Sequence, residues 1–260
     1  MKTFIPLGIP PVISMVAREL NQNTLENNPE VMTQLASRLG LPPSLAFHDV
    51  YSLSEPSLLS LIPRPAYALL VTIPMTPTWN ELRKTEDGSR EIYSGSGPQE
   101  PVIWFKQTIG HACGLIGLLH SVLNGPAAEM ITQKSELQRL LKEAIPLKTM
   151  ERAKLLEDSD VLEAAHHAAA VAGDTEAPDV DTAERLGNHF IAFVKGKDGH
   201  LWELEGNRKG PLDRGPLGES DDVLSEKALE MGIKRYVKLE EEAGGKELRF
   251  SCLALAPKQE

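Results

Sequence analysis

Apolar residues recur at helical spacing in "ENNPEVMTQLASRLG", where Val31, Leu35 and Leu39 fall on one face. Pro29 stands in the first turn and Gly40 follows the last periodic residue, so an amphipathic helix with both its start and stop signals is predicted. The period then changes. "AFHDVYSL" alternates like a half-buried strand, and "AYALLVTIP" is almost continuously apolar, as a central strand would be. Between Thr78 and Gln99 the pattern dissolves into "EDGSRE" and "SGSGPQ", which predicts a mobile surface loop.

A buried helix is predicted from Cys113 to about Leu123, and "SELQRLLKEA" and "MERAKLLEDSDVLEAAHHAAAV" are helical in pattern as well. "AGDTEAPDVDTAERLGN" is a second polar, breaker-rich loop. In "HFIAFVKGKDGHLWELEGNRKGP" two apolar runs flank "KDG", the strongest short hairpin signal in the chain. A charged helix over "DDVLSEKALEMGIKRYVKLEEEA" and a closing strand over "KELRFSCLALAPK" complete the set. Without repeats or heptads, these elements predict one α+β domain with a largely antiparallel sheet, the two polar loops being insertions within it.

Composition narrows the class only slightly. Of the 260 residues, 41% are hydrophobic and 25% charged, ordinary for a soluble globular chain. Two distant cysteines make no disulfide framework and suit a reducing compartment such as the cytoplasm, with the nucleus also open. No stretch approaches a membrane span, and prolines 6, 10 and 11 interrupt the start where a signal peptide would need a clean apolar run. The net charge of −10 argues against nucleic acid and for a basic partner or simple solubility.

The candidate chemistry centres on "KQTIGHACGLIGLLH". Cys113 follows Gly110, His111 and Ala112 at the start of the predicted helix, where free N–H groups and positive potential favour a thiolate. The plain alternative is a small buried hydrophobe. A thiol nucleophile needs a base, usually a histidine held by a carboxylate or amide. His111 is too close along the chain to align easily, His120 points out of the same helix, and His166 and His167 read as solvent-facing. His48 and His200 fall in strands or hairpins. His189 opens the strand "HFIAFV", where a strand end could hold an imidazole over a cleft. On pattern alone it could equally be a capping or surface histidine. In "HLWELEG", Glu203 and Glu205 share a face by period two, with Trp202 and Leu204 opposite. A metal site from His111, Cys113 and His120 lacks the usual ligand spacing and a fourth ligand. Gly110, Gly114 and Gly117 match neither phosphate-loop pattern.

Three stretches in order, "ENNPEVMTQLASRLGLPPSLAFHDVYSLSEPSLLSLIPRPAYALL", "FKQTIGHACGLIGLLHSV" and "GNHFIAFVKGKDGHLWELEGNRKGP", make the chain resemble the ubiquitin carboxyl-terminal hydrolase family from about Glu26 to Pro257. The likeness is to the small members without a C-terminal extension. It implies a papain-like cysteine hydrolase core, a mostly antiparallel central sheet wrapped by helices, and a knotted backbone. The implied activity is thiol-dependent cleavage of small or unfolded adducts from the C-terminal glycine of ubiquitin. On the matching positions, Cys113 would be the nucleophile, His189 the general base, Glu205 the third member of the triad and Gln107 a donor to the oxyanion. The stretch from about Ala168 to Leu186 resembles the family's crossover loop, a size filter over the site.

The resemblance divides the chain into an atypical N-terminal extension, residues 1–25, and a single hydrolase domain, residues 26–260. Within the former, Gly8 to Leu25 reads as an insertion. It also implies ubiquitin, or a ubiquitin-like relative, with its small adducts as partner, with Glu26, Glu30 and Asp49 at ubiquitin-contact positions. Carboxylates suit the arginines of the ubiquitin tail. No metal or organic cofactor, nucleic acid or membrane is implied, and the chain is expected to be a monomer. Two departures stand out. Glu205 replaces the aspartate of the family's "ELDG", and the hairpin at "KGKDG" is one residue longer. If the glutamate spoils the alignment, the chain would be a ubiquitin-binding protein of weak or no activity.

Overall fold

In a computed structural model of the protein, the described residues are 27–172, 187–245 and 249–259. The first helix, α1 (Pro29–Leu39), has the predicted signals in place. Asn28 caps it by accepting from the N–H groups of Glu30 and Val31, and Gly40 ends it at φ 120°. Its predicted apolar face, Val31, Leu35 and Leu39, is buried. Strand β1 (Leu45–Asp49), the short helix α2 (Pro56–Leu59) and β2 (Ala68–Pro74) follow.

The predicted loop after β2 is instead partly helical, α3 (Pro77–Gly88). Thr76 caps it, its Oγ1 accepting from Trp79 N at 3.0 Å, and Pro77 takes the first turn. Trp79 is its buried residue, so the helix carries almost no apolar periodicity and its polar composition hid it. Residues 90–99 remain irregular, as expected.

Next come α4 (Cys113–Val122), α5 (Gly125–Glu129), α6 (Glu136–Ala144), α7 (Thr149–Glu157) and α8 (Asp160–Ala172). The long helical stretch predicted before the second polar loop is thus two helices. Of the stretch that resembles the crossover loop, residues 168–172 belong to α8; the rest, residues 173–186, lies outside the described residues, as do residues 1–26. The hairpin of β3 (Asn188–Lys195) and β4 (His200–Leu204) turns where predicted, with Gly199 at φ 78°. An unpredicted edge strand, β5 (Leu212–Pro216), precedes α9 (Glu226–Met231) and α10 (Ile233–Glu242), which Gly232 separates, and β6 (Ser251–Pro257) closes the order.

One six-stranded antiparallel sheet runs β1-β6-β2-β3-β4-β5. Its central strands are apolar on both faces because helices cover both. Along β3, Phe190, Ala192 and Val194 face a core shared with α1, α4 and α8, while Ile191 and Phe193 face another shared with Trp79, α9 and Tyr236 of α10. That sandwiching explains the near-continuous apolar runs, since a strand wet on one side would alternate. The fold is a mixed α+β one of the papain-like kind.

Helix α4 lies against the middle of the sheet, and Gly114 through Val122 are all buried. Burying each of its large aliphatic side chains stabilises the fold by at most about 1.5–3 kcal/mol. Gly117 sets the approach. A Cβ there would lie 2.8 Å from Leu70 Cδ1 and 3.2 Å from Phe190 Cβ, so glycine lets the helix sit directly on β2 and β3. This packing brings the start of α4 to the end of the sheet at which β3 begins.

Candidate active site

Cys113 is the first residue of α4, half-buried and unpaired in any disulfide. His111, two residues earlier, takes φ 60°, a left-handed conformation that bends the chain into the helix start. His189 is the second residue of β3, in register with Ile73 of β2, and is 4% exposed. Cys113 stands near enough to act on its charge. The His189 Nε2 lies 3.0 Å from Oε1 of Glu205, the residue after β4. The three residues expected to act together do come together, drawn from a helix start, a strand start and a strand end.

Glu205 is held from several sides. Trp104 Nε1 donates to its backbone carbonyl at 3.1 Å. Arg83 Nη2 is 2.8 Å from Oε1, the oxygen that faces His189, and Arg208 Nε is 3.1 Å from Oε2. These contacts are close but off the hydrogen-bond line: both carboxylate oxygens and His189 Nε2 lack an aligned partner. Burial raises the cost of the charge on Glu205, but His189 and the two arginines outweigh it and hold its carboxyl below the ordinary range. For His189, burial opposes the charged form, yet the Glu205 carboxylate and the nearby Cys113 outweigh it and push the imidazole up to about 9.

Gln107 is brought to the same place. Its N–H donates to Gly206 O at 2.9 Å, directly after Glu205. A Cβ on Gly206 would meet Gln107 Cβ at 2.8 Å, so a glycine is needed for this approach. The Gln107 side-chain Nε2 donates to Ile109 O at 3.3 Å, while its Oε1 is buried without a partner.

The segment leading to Gln107 is anchored to α4 by polar side chains that looked unremarkable in sequence. Phe105 N donates to His120 Nε2 at 3.0 Å, and Asn124 brackets Ile103, accepting from its N–H at 2.7 Å and donating to its carbonyl at 3.0 Å. His120 therefore does not point out of the helix as expected. It is fully buried, and burial drives its pKa down to about 3, so it stays a neutral acceptor. His166, expected to face solvent, is also buried, whereas its neighbour His167 is exposed. Among the described residues no three His, Cys, Asp or Glu side chains are grouped to hold a metal ion.

Of the three expected contact carboxylates, the two among the described residues are not in this cluster. Glu26 lies outside the described residues, Glu30 is exposed in the first turn of α1, and Asp49 ends β1, which β6 and β2 separate from β3. The important groups that sequence reasoning missed are Trp79, Arg83 and Arg208. The Thr-Pro start of α3 was the available signal for the first two, because it would have placed them four apart on one helix face.

The family model described as ubiquitin carboxyl-terminal hydrolase, family 1, matches residues 23–238. The chain belongs to that family. It is 36% identical over 236 residues to ubiquitin carboxyl-terminal hydrolase 3 of Arabidopsis thaliana, covering 89% of this chain and 92% of the relative. It is likewise 36% identical over 231 residues to the human ubiquitin carboxyl-terminal hydrolase isozyme L1, covering 89% and 96%. Among solved structures, the UCH37 catalytic domain of Trichinella spiralis bound to ubiquitin vinyl methyl ester superposes with a TM-score of 0.66 at 22% identity. That match covers 90% of this chain and 94% of the other.

Proposed function

We propose that this protein is a cysteine hydrolase that cleaves small or unfolded adducts from the C-terminal glycine of ubiquitin, with Cys113 as nucleophile, His189 as base and Glu205 as orienting carboxylate. The observation that carries the reading is the buried His189, 3.0 Å from the Glu205 carboxylate and near enough to Cys113 for the two to act on each other's charge. Ubiquitin as the partner is supported by family membership and by a structural neighbour solved with a ubiquitin C-terminal electrophile. A reducing compartment suits a free nucleophilic thiol. We take the working unit to be the monomer.

In this reading the thiolate, formed when His189 holds the thiol proton, attacks the carbonyl carbon of the terminal glycine. The carbonyl oxygen becomes an oxyanion. The Gln107 side-chain amide and the Cys113 N–H at the start of α4 are the donors for it, each worth on the order of 3 kcal/mol when aligned. Gln107 gives up its bond to Ile109 O to do so. His189 then passes its proton to the departing amine, leaving a thioester. Water, deprotonated by His189, attacks the thioester and frees the ubiquitin carboxylate and the thiol.

Glu205 stabilises the imidazolium and fixes which ring nitrogen faces the thiol. The rival reading, a binding protein disabled by glutamate in place of aspartate, needs Glu205 to miss His189. The 3.0 Å approach favours the enzyme. Incubation with a ubiquitin C-terminal vinyl ester tests this. A covalent adduct mapped to Cys113 is expected, and tight binding without any adduct would overturn the assignment.

A further inference from the structure

Helix α3 reaches the triad with two side chains that the hydrolysis just described does not use. Arg83 Nη2 sits 2.8 Å from Glu205 Oε1, and His189 Nε2 sits 3.0 Å from the same oxygen. The guanidinium lies over the Trp79 ring, 4.5 Å from its centroid, and the Trp79 ring in turn packs against the His189 imidazole at 5.9 Å and 41°. One helix face therefore touches both the base and its carboxylate.

We propose that Arg83 is a positioning residue for this reaction: it fixes the Glu205 carboxylate against His189 and, by sharing that oxygen, sets how firmly His189 holds its proton. The proposal rests on the reading of Cys113, His189 and Glu205 as the catalytic groups.

A glutamate has one more rotatable bond than the aspartate usual in the family, so its carboxylate needs more restraint to stay opposite the base. Here neither oxygen makes an aligned hydrogen bond. Orientation therefore depends on the charges placed around the carboxylate, and a guanidinium stands at each oxygen. Arg83 is itself restrained. It stacks on Trp79, which is 2% exposed, and its backbone carbonyl accepts from Arg208 Nη1 at 3.1 Å. Arg83 also moderates the carboxylate. A cation on the shared oxygen competes with the imidazolium, so His189 releases its proton at a lower pH than it would beside Glu205 alone.

Among the described residues, the charged groups around His189 are few. Cys113 comes from α4 and Glu205 from the end of β4. Behind the carboxylate stand Arg83 from α3, Arg208 from the turn after β4, and Lys106 from the segment before α4. The β2 partner of His189 is the apolar Ile73.

The test is the pH dependence of kcat and KM for a ubiquitin C-terminal amide reporter, measured on the full chain and on Arg83→Gln, Arg83→Met and Arg83→Lys. Methionine keeps the aliphatic packing on Trp79 and loses the charge; lysine keeps the charge. In the neutral variants kcat should fall by about ten- to a hundredfold with KM within a few-fold. Their alkaline limb should move to higher pH by about half a pH unit or more. Arg83→Lys should recover part of kcat and keep the limb where the unmodified chain has it. An unmoved limb in a neutral variant that melts normally would overturn the proposal, as would undiminished kcat. Failure of both neutral variants to fold would overturn it too, because the residue would then serve the fold rather than the reaction. If the unmodified chain neither turns over the reporter nor labels at Cys113, it is the parent assignment that fails.

Discussion

Glu203 and Glu205 stand two residues apart, both are 1% exposed, and both are held by arginines, yet they belong to different kinds of site. Both oxygens of Glu203 accept hydrogen bonds. Arg214 Nε donates to its Oε2 at 2.8 Å and the Tyr236 hydroxyl donates to its Oε1 at 2.5 Å. The same clasp continues through Glu86 of α3, which Arg208, Arg214 and Arg235 all approach. Burial works against the Glu86 charge, but its arginines hold the carboxyl down at about 2. Glu205 makes close ionic contacts without one aligned hydrogen bond, and the group it faces is the His189 imidazole. A carboxylate with both oxygens tied by aligned hydrogen bonds braces a fold; one held by charge alone retains the freedom to serve a proton transfer.

The bluntest way to strain that comparison is to remove the chemistry and leave both carboxylates in place. Cys113→Ala should lower reporter hydrolysis by on the order of 10⁴-fold or more while ubiquitin affinity, read by calorimetry, stays within a few-fold. Residual turnover near that of the unmodified chain would end the nucleophile assignment. Next come the two glutamates themselves. Glu205→Gln keeps the shape but removes the charge opposite His189, and kcat should fall by about 10²-fold or more with a modest change in melting temperature. Glu203→Gln should do the reverse, costing about 3 kcal/mol of stability by thermal or denaturant melting, because it leaves buried arginines short of a partner. If Glu203→Gln costs more activity than Glu205→Gln, the roles have been exchanged.

The pH profile sharpens the contrast further. With His189 raised to about 9, kcat/KM should decline as pH rises through about 9, when the imidazolium next to the thiolate is lost. The sign for stability is the same. The folded imidazole binds its proton more tightly than the ordinary value of 6.5, so this contribution is complete below about 6.5 and is lost as pH rises through 9. A kcat/KM that is flat to well above pH 10 would show that Glu205 does not act on His189 as described. The smallest effect is steric. Gly117→Ala should push α4 off Phe190 and Leu70, costing about 1–3 kcal/mol and lowering kcat several-fold, because Cys113 rides on that helix.

The triad end of the molecule could be read from the chain because its parts advertise themselves locally. Cys113 opens an apolar helix, His189 opens an apolar strand, and "KDG" fixes the hairpin that carries Glu205 back beside it. The clasp could not. Helix α3 offers Trp79 as its one buried residue, and it docks through Arg83 and Glu86, whose partners lie more than a hundred residues away. Polar residues that meet only in the folded state leave no period behind. Strand β5, "LDRGP", escaped for a related reason: as an edge strand of mostly polar and special residues it shows no alternation. The burial of His120 and His166 was hidden too, since a histidine in a helical run has the same letter whether it faces water or core.

The place of β6 has a bearing on how the protein comes into being. Residues 251–257 do not border the sheet; they fill the slot between β1 and β2. A chain emerging from the ribosome has β1 and β2 available about two hundred residues before the strand that must join them, so neither can finish pairing until synthesis has passed Pro257. Until then the inner edges of both strands stay open, a state prone to association with other chains. The sheet is thus completed after translation of its last strand, and a chain cut before Ser251 should be recovered as aggregate rather than as a smaller soluble protein, which a sedimentation assay would decide.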